Sequence, residues 1–324
     1  MSNCAIPTVD LSVFFQNGDE EGKKAAKAII SRACSEYGFF QAVNHGVSLE
    51  LMSRAMELTK TFFTLPEEEK IKYRPRSGAP VPAGYGKQPA HSSDKNEYLL
   101  MLPPQSSFNV LPNDPPGFRE VLEEMFKNFS KTGEVVESIL NDCLGLPPNF
   151  LKEYNDDRTG DLMSAKRYFP ATETENIGIS EHEDSNCITF IFQDEVGGLE
   201  VLKHGEWIPV VPVKGTIVVN VADVIQVLTN NKFKSSTHRV IRSKGRSRHS
   251  FSFFYNLQGD KIVEPLPNFT EHIGEPPKYR QFVYKSYQAL RIRNKTHPPN
   301  RPVDVINISH YAISPHNNQV YSSL

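Results

Sequence analysis

Apolar positions recur at helical spacing in the first half of the chain and at alternate positions through its middle. Ala25, Ala26, Ile29, Ile30 and Ala33 share one face of an amphipathic helix over 21–36. Gly38 ends it, and the alternating Phe39, Gln41 and Val43 predict a strand. A second helix runs over 48–63, with Ser48 as its N-cap and Leu65-Pro66 as its stop. The stretch 74–107 is rich in Pro, Gly and Ser and reads as one long irregular segment. Val121, Leu122, Met125, Phe126 and Phe129 give the apolar face of a helix over 118–144, and a short helix follows over 149–154. From Met163 to Leu257 the period changes. Short β-type runs are separated by Gly197-Gly198, His204-Gly205 and Lys214-Gly215. About eight such strands predict a mixed α+β fold with a mainly β core, a double-stranded β-helix (jelly roll) flanked by helices. Helix returns around 279–293, and a polar tail begins at Lys295.

Composition narrows the function classes. With 36 Lys and Arg against 38 Asp and Glu the net charge is −2, which offers no attraction for nucleic acid. No apolar run reaches the roughly 20 residues that span a bilayer, and the first residues lack the pattern of a signal peptide. Cys4, Cys34, Cys143 and Cys187 show no CxxC spacing, which suits a reducing, cytoplasmic setting. Ser322-Ser323-Leu324 has the outline of a peroxisomal tripeptide without its basic middle residue.

The candidate chemistry lies within the strand-rich stretch. His182-x-Asp184 places an imidazole and a carboxylate on one face of an extended strand. His238 supplies a second imidazole, embedded in Ser236-Thr237-His238-Arg239-Val240-Ile241. Two imidazoles and one carboxylate on one face of a metal leave the other positions open, the donor set of a mononuclear non-haem Fe(II) centre. Past His238, Arg248 offers a planar fork for a carboxylate, and Ser250 points the same way along its strand. The other candidates have plainer readings. His45, Trp207 and Cys187 pack, and alternation turns His249 away from the cavity. His272, His297, His310 and His316 lie at the surface, and Arg242, Lys244 and Arg246 form a solvated loop. Asp223 is a turn or hydrogen-bond anchor.

The run from Ala165 to Leu257 resembles the catalytic core of the plant 2-oxoglutarate- and Fe(II)-dependent dioxygenases. It is also similar to isopenicillin N synthase and the ethylene-forming oxidase. The likeness is carried by His182-Glu183-Asp184, by the run from Gln193 to Val201, by Gly205-Glu206-Trp207-Ile208-Pro209-Val210 and by Val218-Val219-Asn220-Val221-Ala222-Asp223. Leu228-Thr229-Asn230-Asn231, His238-Arg239-Val240 and Arg248-His249-Ser250 complete the core. Ile6-Pro7-Thr8-Val9-Asp10-Leu11 and the run from Tyr37 to Val47 match the family's N-terminal region. The resemblance implies Fe(II) on His182, Asp184 and His238, with the far carboxylate of 2-oxoglutarate on Arg248 and Ser250. Many members carry Asn and Tyr before the proline that is Pro170 here; those positions hold Arg167 and Phe169. Phe169 donates no hydrogen bond, so part of the cosubstrate clamp is expected to pass to Arg167 or Tyr168.

The resemblance further implies a region over 1–110 packed on the core, a helical connection over 111–160, a catalytic core over 161–260 and a C-terminal helix and tail over 261–324. The expected enzyme is a cytoplasmic monomer that uses O2 and 2-oxoglutarate to oxidise a small, largely apolar plant metabolite, releasing succinate and CO2. Ascorbate is a candidate reductant, and neither nucleic acid nor membrane is a partner. Hydroxylation, demethylation, desaturation and ring closure all remain open as outcomes. The alternative is an oxidase of the isopenicillin N synthase or ethylene-forming type that places its substrate's own carboxylate on Arg248. The segment 80–104 is expected to act as a lid over the barrel mouth, and Phe282, Tyr284, Tyr287 and Leu290 to pack a helix on the barrel.

Overall fold

The computed structural model describes residues 5–15, 19–79, 81–296, 299, 301 and 304–313, so Cys4, His297, His316 and the C-terminal Ser-Ser-Leu lie outside the described residues. The chain opens with β1 (Thr8–Asp10), α1 (Glu20–Glu36), β2 (Phe39–Val43), α2 (Leu49–Thr64) and α3 (Glu67–Lys70). Asp19 caps α1 by accepting the Gly22 N–H, and Ser48 caps α2 by accepting the Leu51 N–H. There follow β3 (Gly84–Lys87), β4 (Asn96–Met101), α4 (Phe118–Leu144) and α5 (Phe150–Tyr154). Then come β5 (Leu162–Tyr168), β6 (Ile177–His182), β7 (Ile188–Gln193), β8 (Leu199–Lys203), β9 (Glu206–Pro209) and β10 (Ile217–Val221). The chain continues with α6 (Asp223–Leu228), β11 (His238–Ile241), β12 (Arg248–Tyr255), β13 (Ile262–Val263), β14 (Phe282–Val283) and α7 (Tyr284–Thr296).

Eight strands form the major sheet in the order β1-β2-β10-β7-β12-β5-β4-β3, and four form the minor sheet in the order β6-β11-β8-β9. The two sheets face each other as a jelly roll, and residues from both line the cavity between them. β12 shows how its sequence sets the two faces. Arg248, Ser250, Ser252 and Phe254 point into the cavity. His249, Phe251, Phe253 and Tyr255 point the other way, into the helical layer. The Phe253 ring centroid lies 5.0 Å from that of Phe126 and 5.7 Å from that of Phe129, both on α4. Burying each such ring contributes about 1.5–3 kcal/mol, so the helices hold the sheet by its aromatic face and leave the polar face free for chemistry.

Several expectations are corrected. The segment expected to be irregular carries β3 and β4, which extend the major sheet beside β5. Tyr85, Leu99 and Met101 are buried there. Glu97, fully buried, accepts from Lys70 Nζ at 2.8 Å, Tyr85 Oη at 2.7 Å and Arg167 Nη1 at 3.1 Å. This ionic cluster rivets the hairpin to α3 and β5, so those strands are a fixed part of the major sheet. The C-terminal helix starts at Tyr284, not near 279, because Phe282 and Val283 pair with β13 first. Tyr284 and Tyr287 are buried and packed, as expected. Trp207 is half-buried under the Arg239 guanidinium, 3.9 Å from the ring, because β9 lies at the sheet edge. Arg242 is buried, not solvated, and donates to the carbonyls of Pro170, Glu175 and Ile177 where β5 crosses to β6.

Candidate functional site

β11 pairs with β6 so that His238 stands opposite His182, with ring centroids 4.3 Å apart. Asp184 follows two residues beyond the end of the ladder at His182. Its Oδ1 lies 3.6 Å from His182 Nε2 and its Oδ2 lies 3.8 Å from His238 Nε2. One ligand atom from each of the three fits within a 4.8 Å span. Each histidine meets a backbone carbonyl two residues earlier: His182 Nδ1 lies 2.8 Å from Ser180 O, and His238 Nδ1 lies 3.1 Å from Ser236 O. A carbonyl only accepts, so both Nδ1 atoms carry the proton and both Nε2 lone pairs face the shared point. Asp184 Oδ2 also accepts from Asn220 Nδ2 at 2.8 Å. This donor set, with its tautomers already fixed, fits a divalent iron ion.

Arg248 is 2% exposed on the opposite wall. Its Nη1 donates to Ser250 Oγ at 3.1 Å and its Nη2 to Gln193 Oε1 at 3.0 Å, while its buried Nε has no hydrogen-bond partner. An unsatisfied buried guanidinium donor beside a serine hydroxyl fits a carboxylate ligand. Behind the wall lies a counter-charge. Burial pushes the Asp194 carboxyl up, but hydrogen bonds from the His249 ring and N–H and from the Val196 N–H, with the Arg248 charge, hold it below its ordinary value. His249 thus faces away from the cavity and towards Asp194, at 3.3 Å.

The expected clamp divides between two faces. Tyr168 enters the cavity, its ring 4.7 Å from the Arg248 guanidinium, because it pairs directly opposite Arg248. Gly178 makes this possible: a Cβ there would sit 2.8 Å from the Tyr168 ring. Arg167 leaves by the other face and donates to Phe63 O at 2.9 Å and to Glu97. The cavity instead receives Lys166, whose Nζ lies 5.5 Å from the Phe254 ring centroid. Lys166, Asn220 and Gln193 were not singled out from the sequence. A polar residue at an inward-facing position of an otherwise apolar strand was the available signal for Asn220.

Other readings hold. His45 is buried, with Nε2 3.2 Å from Gly215 O, and burial lowers its pKa. Cys187 packs in the core, and burial pushes its thiol well up. Asp223 is a buried anchor, accepting from Tyr287 Oη at 2.6 Å. His272 and His310 are exposed.

Comparison with known proteins decides the family. Residues 160–257 match the 2OG-Fe(II) oxygenase superfamily model, and residues 6–125 match the model for the N-terminal region of the non-haem dioxygenase in morphine synthesis. The chain belongs to the 2OG-Fe(II) oxygenase superfamily. This oxygenase is 36% identical to jasmonate-induced oxygenase 1 of Arabidopsis thaliana over 88% of its own length and 72% of that protein's. It is 33% identical to flavonol synthase/flavanone 3-hydroxylase of the same plant, over 89% of this chain and 86% of that one. The crystal structure of JOX2 in complex with 2OG, Fe and JA matches it with a TM-score of 0.75 at 30% identity, covering 88% of this chain and 84% of that one. The oxygenase is therefore a 2-oxoglutarate- and Fe(II)-dependent dioxygenase, and these relatives support that activity over the oxidase alternative.

Proposed function

We propose that this dioxygenase oxidises a small, largely apolar metabolite that carries an anionic group. His182, Asp184 and His238 hold the iron. Arg248 and Ser250 hold the far carboxylate of 2-oxoglutarate, with Tyr168 beside them. Iron held there would couple the four-electron reduction of O2 to the oxidation of both organic molecules, 2-oxoglutarate going to succinate and CO2 and the substrate losing a hydrogen. The rest of the work belongs to the chain: Arg248 orients the cosubstrate, and Ile179, Ile191, Leu199 and Val240 keep the cavity walls apolar.

The observation that carries the substrate class is Lys166 inside the cavity. Asp184 is the one carboxylate among the lining residues, against the cations of Lys166 and Arg248. A divalent metal and a doubly charged cosubstrate cancel each other, which leaves one positive charge in a secluded space. An excess of positive charge along the lining favours an anionic group, and a carboxylate or phenolate on the substrate would supply it. JOX2 was solved with JA, and its likeness to this chain supports the same reading. A cytoplasmic monomer without nucleic-acid or membrane partners accords with the net charge of −2 and with the free thiols of Cys34, Cys143 and Cys187. Among the described residues, no helix is long and apolar enough to cross a membrane.

Succinate release measured over a panel of plant acids and their methyl esters tests the proposal. The acids should be turned over in preference to the esters. Lys166→Met should raise KM for the acid about 10- to 150-fold, the loss of one charge-assisted hydrogen bond, with KM for 2-oxoglutarate unchanged. Equal use of acid and ester, or an effect of Lys166→Met on the cosubstrate alone, would refute it.

A further inference from the structure

Asp184 and Glu183 lie beyond the last residue of β6, where the strand ladder no longer fixes the backbone. Other contacts have to hold the carboxylate ligand in place. Glu183 turns its side chain away from the cavity, and its Oε1 accepts from Thr237 Oγ1 at 2.5 Å. Thr237 immediately precedes His238, so this bond joins the two ligand-bearing segments directly. The Glu183 carbonyl accepts from Arg291 Nη2, on α7. The Asp184 carbonyl accepts from the Asp223 N–H at 3.0 Å, at the start of α6. Arg291 and Asp223 are themselves joined. Arg291 Nη1 lies 3.7 Å from Asp223 Oδ2 and donates to Tyr287 Oη, which donates to the same carboxylate oxygen. Arg291 is 11% exposed and Asp223 fully buried, so the brace is shielded from water.

We infer that Glu183 and Thr237 form a latch that sets the spacing of the metal ligands, and that Arg291 braces the latch from the C-terminal helix. They are positioning residues: none of them touches the cavity, and each acts through the backbone of His182, Asp184 or His238. This inference rests on the assignment of those three residues as the iron ligands. Thr237→Val keeps the shape of the side chain and deletes the donor. Glu183→Ala deletes the acceptor, while Glu183→Gln keeps an acceptor oxygen without the charge. Arg291→Met removes the brace but strands a buried carboxylate, so the threonine variant carries the decision.

The test is anaerobic Co(II) binding by equilibrium dialysis, read together with the ligand-field spectrum of the bound ion, and requires no turnover. Wild type should bind one equivalent, and Asp184→Ala should not. Thr237→Val and Glu183→Ala should weaken binding about 10- to 100-fold and alter the spectrum, at thermal stability close to wild type. Glu183→Gln should restore wild-type binding. If wild type binds no Co(II), the ligand assignment itself fails. If wild type binds and Thr237→Val matches it in affinity and spectrum, the latch is wrong. If Glu183→Gln is as impaired as Glu183→Ala, charge and not the hydrogen bond is responsible, and the latch is again overturned.

Discussion

Arg248→Met should move stability and cosubstrate binding in opposite directions. The guanidinium is 2% exposed, and it donates to two neutral groups, Ser250 Oγ and Gln193 Oε1. Before 2-oxoglutarate arrives, the fold therefore carries a desolvated cation compensated by the Tyr168 ring at 4.7 Å and by the charge of the Asp194 carboxylate behind the wall. Methionine has a comparable length and no charge, so the substitution should leave stability unchanged or raise it by up to about 2 kcal/mol. The cosubstrate loses charge-assisted bonds worth about 2–4 kcal/mol, which corresponds to roughly a 30- to 800-fold weaker dissociation constant. Thermal unfolding with Mn(II) in place of iron, with and without 2-oxoglutarate, reads both effects in one experiment. At a concentration 100 times the wild-type dissociation constant, 2-oxoglutarate should stabilise wild type by about 2.7 kcal/mol and the variant by less than about 1 kcal/mol. A variant stabilised as much as wild type would show that Arg248 does not hold the cosubstrate.

Asn220→Leu removes the donor that Asp184 Oδ2 receives at 2.8 Å and should weaken Fe(II) binding about 10- to 100-fold while leaving 2-oxoglutarate affinity unchanged. Equilibrium dialysis with an unchanged iron constant would count against that role. Burial pushes the Glu137 carboxyl above its ordinary value, against hydrogen bonds from Asn155 and Tyr255 and the charge of Arg158. A raised folded-state pKa means that the contribution to stability is complete below the unfolded value near about 4.3 and is lost as pH rises through the folded value. Glu137→Gln should therefore flatten part of the fall in urea-unfolding stability from acid to neutral pH. Asp161, pushed to about 7 by burial, keeps a residual slope of the same sign. Parallel profiles for variant and wild type would dismiss Glu137 as a source of the pH dependence.

The residues that the sequence made legible are those whose partners lie along the same strand or on the same helix face. β12 declares both of its faces by alternation, so Arg248 and Ser250 could be placed inward and His249 outward before any partner was known. The helices α1, α2 and α4 follow from their apolar spacing and caps. Where register against a distant strand decides, local pattern failed. Counting back from Pro170 made Arg167 a candidate for the cavity, but the pairing of Tyr168 with Arg248 and of Lys166 with Ser250 sends Arg167 to the helical side. A shift of one residue exchanges every side chain between faces, so the error was complete at that position. β3 and β4 were hidden for a related reason. Their Gly and Pro content suggests a loop, and Glu97 looks like a solvent-facing residue until Lys70, Tyr85 and Arg167 arrive from elsewhere in the chain.

The ligand geometry lies at the far end of this scale. The three candidate metal ligands could be named from residue type and strand context, because a metal requires particular donor atoms. What holds them at their mutual distances leaves no comparable trace. Thr237 is 54 residues from Glu183, and Arg291 is 108 residues from it. A threonine hydroxyl or an arginine on a surface-patterned helix is ordinary in sequence, and it gains a role only when folding places it behind the ligand backbone. Donor identity is a local property of the chain, whereas the contacts behind the donors come from Thr237, from the start of α6 and from α7. Substitutions on α7 are therefore expected to alter iron affinity even though, among the described residues, that helix contributes no ligand and no residue to the cavity wall.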